Sequence, residues 1–368
     1  MKDFIGLGQY IDEDYSKRTD HRFHAKGCAP SPKMPGPGAE TDANKLREEM
    51  AEKRWDHQVD LCWIVLLYKG GAIDRERAAK LVRAIRESWD VRKGVSGEER
   101  ILAACGGDMD LASTVNYGRT LQEPNGRLKL RDYMLAISDD YLALLESVHK
   151  LAKENLDTVM IGQTHMSHGQ PMTYAHFMVS VFDGIYRGLE QFELAYAYTN
   201  KNSGGCGSCS GITWPIDREL MAELLGMDGV VEPTFDCEAA QDHTLAALFA
   251  LSNTAVHLSR VAMNQYIWAT DEFDMVRTTP SMCGVSSFMP QKCDPGTPYE
   301  KVRIYASEVI GEMNKAVTMM KGEPHMDVLP AALLPNWGVE GLLAGRRCLR
   351  HFKNMLDSVI LNKERMLQ

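Results

Sequence analysis

Apolar residues recur along this chain at the three- and four-residue spacing that puts one stripe on a helix face. From Thr41 or Asp42 as a cap, the pattern runs through Trp55, Val59, Trp63 and Leu66 to the Gly70-Gly71 pair, which predicts one helix. A second begins at Asp74 as N-cap and carries Ala78, Leu81, Val82 and Ile85 to about residue 91. Four long stretches follow, over residues 127–155, 173–200, 237–271 and 298–321, with no proline except Pro298 at the start of the last. Such stretches span about 38 to 45 Å as helices and need partners on more than one side, so a long bundle is expected. Alternating Val/Ile/Thr runs are missing, so no sheet is expected, and Asn125-Gly126 after Pro124 reads as a turn before a helix.

Residues 1–40 break the pattern. The run Ala29-Pro30-Ser31-Pro32-Lys33-Met34-Pro35-Gly36-Pro37-Gly38 cannot be helix and reads as an extended arm, able to wrap a neighbour in an oligomer. The fold class is all-α: arm 1–40, an N-terminal helical domain 41–110, a central long-helix bundle 111–324 and a shortened C-terminal helical segment 325–368.

The formal charge of −9, with no basic run, argues against nucleic acid as a partner. No run of about 18 apolar residues argues for a membrane span, and the N-terminus lacks a secretory core, so a cytoplasmic location is the default. Nine scattered cysteines read as reduced thiols. Cys206 and Cys209 form a lone C-x-x-C with no second pair at ligand spacing, so neither a metal nor another cofactor is expected. The 21 methionines read as core filler.

Three polar segments carry candidate chemistry. In the first, Cys283-Gly284-Val285-Ser286-Ser287-Phe288-Met289-Pro290-Gln291-Lys292-Cys293-Asp294-Pro295, backbone N–H groups, hydroxyls and the Lys292 ammonium suit an anion. A serine ionised in that field would act as a base on a carbon beside a carboxylate. The second, Gly162 to Thr173, is a polar loop with Thr164, His165, His168 and Gln170-Pro171. An imidazole titrates near neutrality and suits proton transfer. The third, 110–120, offers Asn116 and Arg119, whose guanidinium presents two parallel donors to a carboxylate. An ordinary polar surface loop shares much of this composition.

Together these segments resemble the fumarase/aspartase superfamily, especially argininosuccinate lyase. Ser286-Ser287-x-Met289-Pro290-x-Lys292 matches its Ser-Ser-x-Met-Pro-x-Lys signature, with Val285 and Asp294 standing where glycine and asparagine are usual. Thr164-His165 with Gln170-Pro171 matches its Thr-His-x-x-x-x-Gln-Pro element, and Pro215-Ile216-Asp217-Arg218 keeps its order. The resemblance implies that Ser286 is the base and that His165 serves proton transfer. It also implies that Thr164, Lys292, Arg119, Asn116, Ser287, Met289 and Asp294 bind a small-molecule dicarboxylate, in a homotetramer whose sites are shared between three subunits. The implied reaction is a β-elimination giving fumarate or a related unsaturated acid, most simply by C–N cleavage. A cycloisomerase or other lyase on the same scaffold, or an inactive crystallin-like structural protein, stays open. His325 to Pro330 replaces the family's Tyr-Asn-Lys-Asp-Leu-Gln run, which argues against argininosuccinate as substrate. Residues 358–366 resemble the family's helix before a C-terminal domain, and the Pro-rich arm is a candidate to cover the site in its place.

Overall fold

The computed structural model describes residues 39–88, 97–120, 123–279, 282–285 and 293–368. Five long helices form the body: α6 (Asn125–Lys153), α7 (Tyr174–Thr199), α10 (Asp242–Trp268), α11 (Thr297–Met320) and α12 (Leu329–Asp357). Smaller helices come before and between them: α1 (Ala39–Ala51), α2 (Trp55–Lys69), α3 (Arg75–Glu87), α4 (Gly97–Ala104), α5 (Met109–Ser113), α8 (Arg218–Leu224) and α9 (Asp236–Ala239). The all-α class holds.

Packing runs α7 against α6, α6 against α12, α12 against α11 and α11 against α10, while α10 closes the ring on α7 and also meets α12. Tyr141, Leu144, Val181, Ile185, Leu251, Leu258, Leu342 and Phe352 fill the space between them. The α7–α10 crossing is close because α7 offers a glycine there. A Cβ on Gly188 would lie 2.0 Å from Thr254 Oγ1. That hydroxyl bonds Tyr141 Oη at 2.8 Å and donates to the Ala250 carbonyl at 3.0 Å, so the polar groups at the crossing are satisfied. By length and composition the stretch Asp236–Trp268 is long and apolar enough to cross a membrane, a property that buried core helices share. Here its apolar faces are largely taken up by α7, α11 and α12.

Outside the ring, α1 packs on α12. Arg350 bonds Asp42 at 2.6 Å and Asp140 at 3.0 Å, and Arg346 reaches Asp140 at 2.8 Å, joining α1, α12 and α6. A second core gathers Val59, Trp63, Leu67, Leu81 and Ile85 with Met221 and Leu225. Helices α2 and α3 therefore share a core with a segment much later in the chain.

Several elements differ from expectation. The first predicted helix is two, parted at Glu52-Lys53-Arg54, and it starts at Ala39, so Asp42 is no cap but a partner of Arg350. The third long helix opens with the isolated turn α9 before α10, and Asn125-Gly126 is the first turn of α6. Asp74 does cap α3, accepting from the Arg77 N–H at 2.8 Å, but α3 ends at Glu87.

The fifth long helix, α12, is hidden within the 325–368 segment because Pro330 and Pro335 interrupt its sequence. Pro330 sits in the first turn, where a missing N–H costs nothing, and Pro335 packs where a Cβ on Gly126 would meet its ring at 2.9 Å.

Sheet does occur, in small pieces. β1 (Val159–Thr164) pairs with β2 (Ser167–Thr173), β3 (Val276–Thr278) with β6 (Val359–Leu361), and β4 (Gly284–Val285) with β5 (Cys293–Asp294), all antiparallel. Residues 358–366 are thus not one helix but β6 followed by α13 (Lys363–Leu367). The arm over residues 1–38 lies outside the described residues.

Candidate functional site

The polar loop around His165 is a β-hairpin. Thr164 pairs with Ser167, leaving a two-residue turn of His165 and Met166 at φ 51° and 62°. Two successive positive φ values make the mirror-image turn that matches strand twist, a conformation that costs non-glycine residues about 1 to 2 kcal/mol each. Backbone held this way often marks a working site. Below the tip the strands approach closely: a Cβ on Gly162 would lie 2.9 Å from the Gln170 carbonyl oxygen. Pairing slips by one residue between Ile161 and Gln163, a bulge that re-aims the tip.

The hairpin is held at its base. The Tyr174 N–H donates to the Thr158 carbonyl at 2.8 Å, and the Thr173 hydroxyl caps α7 by accepting from the His176 N–H at 3.1 Å. Trp268 at the end of α10 donates from Nε1 to Gln163 Oε1 at 3.2 Å and packs edge-on against Phe177 at 4.9 Å. The C-terminal turn α13 packs on β1. Thr164, His165, Ser167, His168 and Gln170 are all exposed. A cleft of about 830 Å³ opens between the hairpin and the α7 and α10 ends, with Thr164, His165, Gln170, His176 and Asn264 on its wall.

Arg119 and Asn116 stand elsewhere. The Arg119 side chain is buried, its Nη2 in an ion pair with Asp60 of α2 and 3.3 Å from Asn116 Oδ1, while its Nε and Nη1 have no hydrogen-bond partner among the described residues. Burial pushes Asp60 up from the usual carboxylate range, with the Arg119 charge working against it. Trp63 Nε1 donates to the Tyr117 carbonyl at 2.9 Å and fixes the corner to α2. Neither residue lines the cleft beside His165.

Ser286, Ser287, Met289 and Lys292 lie outside the described residues. Their flanks are described: Gly284 pairs with Asp294, and Val285 with Cys293, so the two ends of this segment are tied together as strands. His325, from the altered 325–330 segment, sits 3.6 Å from Asp236 and against the Phe235 ring.

One buried group of residues, Cys206 apart, carries no motif in the sequence. Burial, and then the neighbouring Glu123 carboxylate, push Glu238 up to about 8. A hydrogen bond from Cys206 holds Cys237 below the usual thiol range, against burial and with help from Arg218. Cys206 is thus the neighbour of Cys237, not of Cys209, whose Sγ meets Ser210 Oγ at 3.4 Å. The 31-residue separation of Cys206 from Cys237 hides that pairing from any short motif.

A family model described as Lyase matches residues 90–311. An argininosuccinate lyase of Methanothrix thermoacetophila is 31% identical over 328 residues, covering 84% of this chain and 66% of its own length. One from Crocosphaera subtropica is 34% identical over 274 residues, covering 70% of this chain and 58% of its own. The chain thus spans just under two thirds, or less, of the length of these curated relatives. Among solved structures, EDDS lyase in complex with formate superposes with a TM-score of 0.79 at 23% identity, over 90% of this chain and 69% of that one. A fumarate lyase from Mesorhizobium sp. BNC1 superposes at 0.72 and 18%, over 88% and 77%. Those two likenesses speak for the fold; the sequence matches speak for the family. The chain belongs to the fumarase/aspartase superfamily of lyases and lies close to argininosuccinate lyase within it.

Proposed function

We propose that the protein is a lyase that cleaves a C–N bond in a succinyl- or aspartate-type amino diacid and releases fumarate or a related unsaturated acid. The observation that carries this reading is the Thr164–His165 tip, presented in strained backbone at the edge of a cleft of about 830 Å³ in a chain of this family. Ser286 takes the proton from the carbon alpha to one carboxylate. The C–H electron pair becomes the new C=C bond as the C–N bond breaks, and His165 delivers a proton to the departing amine. Lys292, Ser287 and loop N–H groups hold the charge that builds on the carboxylate, each preorganised donor contributing about 3 kcal/mol. Thr164, Asn116, Arg119, Met289 and Asp294 orient the diacid, and no cofactor enters these steps.

Since Arg119 and His165 stand on separate parts of one chain, the reading calls for sites assembled between subunits, in a homotetramer. The α10 surface supports this. Phe249, Val256 and Met263 recur every seven residues and are 56%, 44% and 38% exposed, a stripe of coiled-coil spacing on the central helix. Second copies of this chain are the occupants that such a stripe fits. The replaced 325–330 segment favours an amine other than arginine as leaving group, and reduced thiols such as Cys62 and Cys348 fit a cytoplasmic enzyme.

A panel of N-substituted aspartates, followed by ultraviolet absorbance of the conjugated diacid, tests the reaction. Turnover of at least one member is expected, and Ser286→Ala abolishes it with assembly intact. Silence across the panel from an ordered tetramer would favour the structural-protein reading.

A further inference from the structure

Glu123, just ahead of α6, is buried, with its carboxylate caught by a loop. Its Oε2 accepts from the Gly205 and Cys206 N–H groups at 2.8 and 3.3 Å, and its Oε1 from the Ser208 N–H at 3.1 Å. Positive φ values at Gly205, Gly207 and Ser208, of 81°, 56° and 68°, turn these N–H groups to one side. One donor atom each from Glu123, Cys206 and Glu238 lies within 4.8 Å of the others, and all three residues are buried. The Cys206 thiol touches Cys237, whose Sγ also lies 3.2 Å from Arg218 Nη2. Beside them is a cavity of about 20 Å³, lined by Cys237, Glu238 and His243 among others. A space of that size admits one water-sized particle.

His243 supplies an independent observation. It is 2% exposed, lines that cavity, and neither of its ring nitrogens has a hydrogen-bond partner among the described residues. A buried imidazole with both nitrogens unused is a costly arrangement that an occupant of the cavity would relieve.

We propose that this cluster binds one divalent cation of the zinc class, with Glu123, Cys206 and Glu238 as ligands and with Cys237 and His243 beside the ion. The chemistry of the donors selects the metal: calcium and magnesium take oxygen ligands alone, whereas thiolate mixed with carboxylate suits zinc or cobalt. The ion would clamp the start of α6, the loop around residues 203–211 and α9 together, on elements other than those forming the cleft at His165. The inference does not depend on the reaction proposed above.

The test is a cobalt titration of reduced, chelator-treated full-length protein. One equivalent should produce visible d–d bands of tetrahedral cobalt with thiolate charge-transfer absorption in the near ultraviolet, and zinc should bleach them. Cys206→Ser and Glu238→Gln should each weaken binding more than about a hundredfold, beyond the loss typical of a group that only supports a ligand. Cys209→Ser should leave binding unchanged. Helical circular dichroism checks that each variant folds, and X-ray absorption of the zinc-loaded wild type reads the ligand shell without any variant. No cobalt bands in the wild type, bands surviving both ligand variants, or an all-oxygen shell would overturn the proposal.

Discussion

At the hairpin tip the backbone is paired strand to strand and the side chains of Thr164 and His165 are left to solvent; at the corner holding Arg119 the main charge is already matched, by Asp60. The tip is therefore a presented surface, complete as backbone and incomplete as a site. The corner is nearly closed, with the Nε and Nη1 donors of Arg119 unused among the described residues. A group that must meet a substrate can bear exposure because the hairpin, not its own contacts, holds it in place. A group that anchors two helical segments pays for burial with an ion pair.

The contrast breaks hardest at His165. His165→Asn should lower turnover by about 10²- to 10⁴-fold, the contribution of a positioned acid–base group, with melting temperature and helical content unchanged because the side chain is exposed. Steady-state kinetics beside a thermal melt checks it; a large stability loss would mean that the tip is structural. Mixed tetramers of that variant with Ser286→Ala should regain part of the activity if sites are shared, since some would then collect both intact groups.

Asp60→Ala sharpens the other side. It leaves the Arg119 guanidinium buried without its counter-charge and should destabilise the fold by about 3 to 5 kcal/mol in urea unfolding. Little change would make Arg119 freer than its setting indicates.

His351 gives the buried counterpart of His165. It sits 3.0 Å from the Pro298 carbonyl oxygen, and burial holds it down to about 4. The folded value lies below the unfolded one, so its contribution is complete above about pH 6.5 and is lost as pH falls through about 4. About 3 kcal/mol should disappear across that window, and His351→Gln should flatten the acid limb of the stability curve. The smallest effect is expected at the turn itself. Met166→Gly removes the positive-φ penalty and should raise stability by about 1 kcal/mol, read as a small rise in denaturation midpoint.

Much of the bundle was legible from local pattern. α6, α7 and α11 start within about two residues of their expected positions because proline-free apolar stripes and flanking breakers fix them. α12 was not legible, because Pro335 speaks against a helix and only its seat on Gly126 explains its place. In sequence the hairpin reads as a polar loop because β2 carries no apolar alternation, being mostly exposed on one wall of a cleft.

By itself the sequence determined the helical class, four of the five long helices and the segments that carry candidate chemistry, since these rest on spacing within a few residues and on residue type. Tertiary structure decided which distant groups meet. It paired β6 with β3 across more than 80 residues, gave Arg119 to Asp60, and brought Cys206 beside Cys237 and near Glu123 and Glu238. Local propensity acts over a turn or two of chain, whereas contacts between helix ends depend on how the whole bundle packs, and that is a sum over residues no short window contains.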